Sequence, residues 1–68
     1  MTDFKVDELN VEDRRNKIIE ILNRESKVKV VDLSKLFGIS EVTIRNDLTE
    51  LELSGVLERI HGGAISTS

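Results

Sequence analysis

Arg45 and Asn46 stand side by side in the run Ser40-Glu41-Val42-Thr43-Ile44-Arg45-Asn46-Asp47-Leu48, and both are side chains able to read bases. Arginine can donate to guanine or to a phosphate, and asparagine can pair in bidentate fashion with adenine. Val42 or Thr43 could offer a methyl group to thymine. Plainer readings stand beside these: Arg45 as a surface ion pair with Glu41 or Asp47, Asn46 as a solvated residue, Thr43 as support for a helix cap at Ser40. His61, Gly62 and Gly63 form a second cluster. Glycines let a backbone come close to phosphates, and His61 with Arg59 adds donors there. A simple hairpin turn explains the same glycines, and the two readings are compatible. Lys27, Lys29 and Lys35 either add peripheral phosphate contacts or face water.

Other chemistries lack material. Cysteine is absent and His61 is the single histidine, so thiolate and His-rich metal sites are not expected, and neither is a cofactor. His61 has no evident acid–base partner and no carboxylate pair has shelter, so an enzyme is not expected. A chain of 68 residues makes one small domain, which buries only about 60% of the surface exposed when unfolded. No apolar run approaches the roughly 18 residues of a membrane span. Met1 to Asn10 is acidic and polar, wrong for a secretory signal, and a cytoplasmic location follows by elimination.

Charge opposes the nucleic-acid reading. The chain carries 13 acidic and 10 basic side chains, net -3, whereas nucleic-acid-binding domains are typically basic. From Ser40 onward Glu41, Asp47, Glu50, Glu52 and Glu58 outnumber Arg45 and Arg59. The reading therefore rests on geometry. The acidic balance also motivates the alternative, a winged-helix module that binds protein and not DNA.

Several elements must position these residues. Residues 1–10 read as a flexible lead-in. Asn10 is a good N-cap for a first helix from about Val11 to Arg24, with Val11, Ile18 and Leu22 on one stripe and Ile19 and Ile21 flanking it. Val28 and Val30 alternate with Lys27 and Lys29, the pattern of a short strand. Leu33, Leu36 and Phe37 mark a second helix, which Gly38 ends. Ser40 then caps a third, with Ile44, Leu48 and Leu51 buried and Gly55 terminating it. Val56 to Ile60 is a strand, Gly62-Gly63 a two-residue turn, and Ala64 to Ser66 the return.

Two helices joined by a very short Gly-containing turn make a helix-turn-helix. Ser34 is small enough to let the third helix approach, Ile39 plugs the angle and Ile44 anchors the third helix. The fold class is mainly α, a winged helix-turn-helix of three helices plus a wing of two to three strands. Steps of 100° per residue turn Val42, Asn46 and Thr49 outward on the third helix, with Thr43 and Arg45 on the shoulders. Asp47 lies nearer the core side, where Arg14 or Arg15 of the first helix is its expected partner. The candidate DNA-contacting set is Ser40, Val42, Thr43, Arg45, Asn46, Thr49, Arg59, His61, Gly62 and Gly63.

The run from Ser40 to Leu48, followed by Leu51, Gly55 and Arg59-Ile60-His61-Gly62-Gly63-Ala64 and preceded by Arg14, Ile18 and Leu22, resembles the DeoR-type bacterial transcriptional regulators. The resemblance covers roughly residues 11–66. It implies promoter or operator binding, usually by a repressor of sugar-metabolism genes, with a recognition helix over Ser40–Ser54 and a wing at His61–Gly63. It departs at Asn46, where the family commonly has a second basic residue. That substitution removes a phosphate or guanine partner and alters base preference. Members typically continue into a C-terminal domain that binds a phosphorylated sugar and drives oligomerisation. The resemblance therefore implies a domain at 11–65, the start of a linker at 66–68, and an effector and homo-oligomer contacts lying outside this chain.

Overall fold

The computed structural model describes residues 10–67; most of the lead-in expected at 1–10 lies outside them. Helix α1 (Val11–Glu25) leads to strand β1 (Lys27–Lys29), helices α2 (Val30–Phe37) and α3 (Glu41–Leu53), and strands β2 (Leu57–Ile60) and β3 (Gly63–Ser66). This is the winged helix-turn-helix order.

Local chemistry sets the helix ends. Asn10 Oδ1 accepts the Asp13 N–H at 2.7 Å, capping α1, and Glu12 and Asp13 sit in its positive first turn. Its far end is a left-handed cap at Ser26, φ 71, the only non-glycine with positive φ among the described residues. Gly38 (φ 68) ends α2, and the Ser40 side chain caps α3 by accepting from Thr43 N–H.

The sheet has the order β1-β3-β2, with both neighbouring pairs antiparallel. Val28 lies opposite Ala64 and Lys29 opposite Gly63, so β1 ties the hairpin to the helices. The core joins Ile18 and Leu22 of α1, Val28, the α2 residues Val30, Leu33 and Phe37, the α3 residues Ile44, Leu48 and Leu51, Leu57 and Ala64. Full burial of each large aliphatic side chain contributes about 1.5–3 kcal/mol.

Four local expectations are corrected. Val30 opens α2 and does not extend the strand, so the inward stripe of α2 is Val30, Leu33 and Phe37. Leu36, assigned to that stripe, is 55% exposed, because α2 packs through its i, i+3, i+7 positions. Val11 is 46% exposed; Arg14 holds the buried place in that turn of α1. The hairpin turn is His61-Gly62, one residue earlier than Gly62-Gly63. Gly62 takes φ 80, as the third residue of a type II turn requires. Gly63 belongs to β3, and a Cβ there would sit 2.1 Å from the Val28 carbonyl oxygen.

Candidate nucleic-acid interface

The chain turns from α2 into α3 within residues 38–40, and three contacts set the crossing. Ser34 Oγ donates to the Ile39 carbonyl at 2.6 Å, drawing the turn onto α2. Ile39 packs against the core, and Ile44 is fully buried. A bulky residue at 34 would remove both the bond and the space.

Asp47 fixes the rotation of α3. Its side chain is wholly buried, and its carboxylate accepts from Arg14 Nε, from Arg14 Nη2 at 2.9 Å and from Arg15 Nε at 3.0 Å. Both guanidinium partners expected from the sequence are thus engaged. The hydrogen bond to Asp47 raises the pKa of Arg14; burial works against this, and the neighbouring negative charge adds to it. An ion pair this buried is costly to break, since removing one partner strands the other's charge.

With Asp47, Ile44, Leu48 and Leu51 turned inward, α3 shows Val42, Asn46 and Thr49 to solvent. Val42 is 71% exposed, which no packing role explains. Asn46 is exposed, and its side chain makes no hydrogen bond among the described residues. On the shoulder, Arg45 Nη2 donates to Glu41 Oε1 at 3.0 Å, so the ion pair weighed against base reading is formed in the free domain. The Thr43 hydroxyl lies 3.1 Å from Ser40 Oγ, which gives Thr43 the capping role too. Exposed Leu53 (77%) continues the outward face beyond the residues named from the sequence.

The wing stands beside this helix. His61 and Gly62 are exposed at the hairpin tip. Gly63, also in the candidate contact set, is buried, and the lack of a side chain there lets β1 pass. Arg59 is half-buried and points to α3, its Nη1 donating to Thr49 Oγ1 at 3.0 Å. The Arg59 backbone N–H donates to Glu52 Oε2 at 2.9 Å. No sequence signal marked these two contacts, because they join residues 7 and 10 apart across two elements. The structure thus brings Ser40, Val42, Thr43, Arg45, Asn46 and Thr49 together on α3 with Arg59, and sets His61 and Gly62 at the tip of the adjoining hairpin.

No group of three or more potential metal-binding side chains occurs among the described residues, and no described helix is long and apolar enough to cross a membrane.

Comparison with known proteins agrees with this architecture. The chain is 47% identical over 53 residues to the HTH-type transcriptional regulator GolR of Listeria innocua serovar 6a, covering 78% of this chain and 21% of that protein. It is 52% identical over 56 residues to an Escherichia coli K12 protein provisionally named a galactitol utilization operon repressor, covering 82% and 50%. It is 42% identical over 57 residues to a lactose phosphotransferase system repressor of Streptococcus mutans serotype c, covering 84% and 23%. The chain therefore spans about a fifth to a half of the length of these relatives. No solved structure matches significantly. The family described as the DeoR-like helix-turn-helix domain matches residues 14–68, and the chain belongs to it.

Proposed function

We propose that this domain binds double-stranded DNA, with α3 in the major groove and the His61-Gly62 tip on adjacent backbone or minor groove, as the operator-reading part of a longer transcriptional repressor. The observation that carries this is the outward face of α3. Val42 and Asn46 are exposed without an internal role, on a helix locked in rotation by Asp47. A helix of 13 residues is about 20 Å long and enters a groove about 12 Å wide. Val42 offers its methyl groups to thymine, Asn46 its amide to adenine, and Arg45 its guanidinium to guanine or phosphate once released from Glu41. Ser40, Thr43 and Thr49 flank these positions, Arg59 stands behind them, and His61 and Gly62 meet the backbone.

The names of the relatives support a carbohydrate-utilisation operon as the target. Their greater lengths support a further part of the intact protein, and we infer that this part takes a sugar-phosphate effector and joins copies together. Paired copies would read half-sites about 34 Å apart or a multiple of it. Such a repressor works in the cytoplasm, where the chromosome lies.

Titration of isotope-labelled domain with a short duplex at low salt tests the docking. The largest amide shifts are expected at 40–49 and 61–62. Shifts confined to α1 would refute it.

A further inference from the structure

Arg59 is a candidate phosphate donor by its place in the sequence, yet its guanidinium is occupied by partners within the protein. Nη1 donates to Thr49 Oγ1 at 3.0 Å and lies 3.5 Å from the Arg45 carbonyl, while Nε reaches the Gly63 carbonyl at 3.4 Å. Thr49 Oγ1 gives its own hydrogen to the Arg45 carbonyl at 2.9 Å, which leaves its lone pairs to accept from Arg59. The β2 backbone is held as well, through Arg59 N–H and Glu52 Oε2. From these contacts we infer that Arg59 is a positioning residue: it brackets the wing to the recognition helix and so fixes where the hairpin tip stands relative to the base-reading side chains. This rests on the DNA-binding reading above.

The physical case is geometric. Two strands of four residues joined by a two-residue turn hold their own tilt only weakly. The wing's third neighbour, β1, grips it on the β3 edge, away from β2. The β2 edge faces α3, and there the Arg59 fork spans from β3 to α3. A planar guanidinium donates in two fixed directions at once; a lysine ammonium places one nitrogen at the end of a flexible stem. The bracket lands on the backbone of Arg45 itself, so the wing and a base-reading residue share one anchor.

The test uses the 68-residue chain, a 20-base-pair duplex enriched by the wild type from a random pool, and a scrambled duplex of the same composition. Affinities are read by fluorescence anisotropy at several salt concentrations, with circular dichroism to verify folding. Arg59→Lys keeps the charge, and Thr49→Val keeps the shape without the hydroxyl. Each is expected to lower the preference for the enriched duplex about tenfold, equivalent to about 1.4 kcal/mol, with the salt slope unchanged. The double variant is expected to lose little more than either single one, as coupled partners do. If Arg59→Lys does not fold, Thr49→Val carries the same expectation. The bracket is overturned if Arg59→Lys keeps the wild-type preference, or if the Thr49→Val and Arg59→Lys losses simply add. A wild type that binds both duplexes alike and ignores salt refutes the DNA-binding reading itself, a result separable from these.

Discussion

A carboxylate with no exposed surface needs charged partners, and Asp47 has two, in Arg14 and Arg15 of α1. Asp47→Asn would leave a guanidinium buried beside an amide, at a cost of about 3–5 kcal/mol. A domain this small commands only about that much stability, so the variant is expected to be largely unfolded at room temperature. A urea titration followed by circular dichroism checks this, and a wild-type midpoint would refute it. Arg45 is the opposite case, an exposed cation loosely held. Its pair with Glu41 is half-exposed on both sides and worth about 0.3–0.5 kcal/mol, far less than a base contact. Arg45→Ala is expected to weaken duplex binding by about 1–3 kcal/mol, whereas Glu41→Gln should strengthen it about twofold by freeing the guanidinium. Anisotropy with one duplex measures both, and opposite signs are the signature.

Two junctions between elements each depend on a single residue, one through its backbone conformation and one through lack of space. Ser26 ends α1 in the left-handed region, where a side chain costs about 1–2 kcal/mol. Glycine would remove that strain but would raise the entropy of the unfolded chain by about 0.4–1 kcal/mol. Ser26→Gly should therefore stabilise by a few tenths to about 1 kcal/mol, because its two structural bonds, to Leu22 O and from Ser66 N–H, are both backbone. A fall in melting temperature would contradict this. At the other junction Gly63 has no room for even a methyl group beside β1. Gly63→Ala should cost about 1–3 kcal/mol by overpacking and loosen the wing. The same thermal melt reads it, and an unchanged melting temperature would show that β1 can move aside.

For the molecule as a whole, a net charge of -3 means that attraction to phosphates comes from a few placed cations. Asp47 is neutralised beneath α3, while Glu50, Glu52 and Glu58 are exposed at the far end of α3 and on β2. Exposed acids there add no attraction to a duplex. With few phosphates contacted, the fall of log K with log salt should be shallow, at about 0.9 per phosphate and below about 3 in total. Anisotropy between low and moderate salt measures that slope, and a steeper one would point to lysines outside α3 and the wing as the main contacts. A single domain also lacks the gain in affinity that linked copies provide.

Features governed by neighbours in the chain were written openly in the residues. Asn10 and Ser40 cap their helices by bonds to N–H groups three residues on, and Gly38 stops α2 by its own backbone freedom. The inward stripe of α3 and the core-side place of Asp47 followed from helical steps alone, and with them the outward placement of Val42, Asn46 and Thr49. Tertiary packing decided the rest. Leu36 is as apolar as Leu33, but only the docking of α2 shows which of them faces the core. Gly62-Gly63 and His61-Gly62 are both workable turns, and the choice falls to β1, whose Val28 carbonyl presses on Gly63 and leaves no space for a side chain. Arg59 reads as a free donor until α3 is laid beside β2, because its partners share no repeat or spacing with it. Short-range hydrogen bonds and helical periodicity are encoded within a few residues; steric exclusion and cross-element donors exist only once distant segments touch.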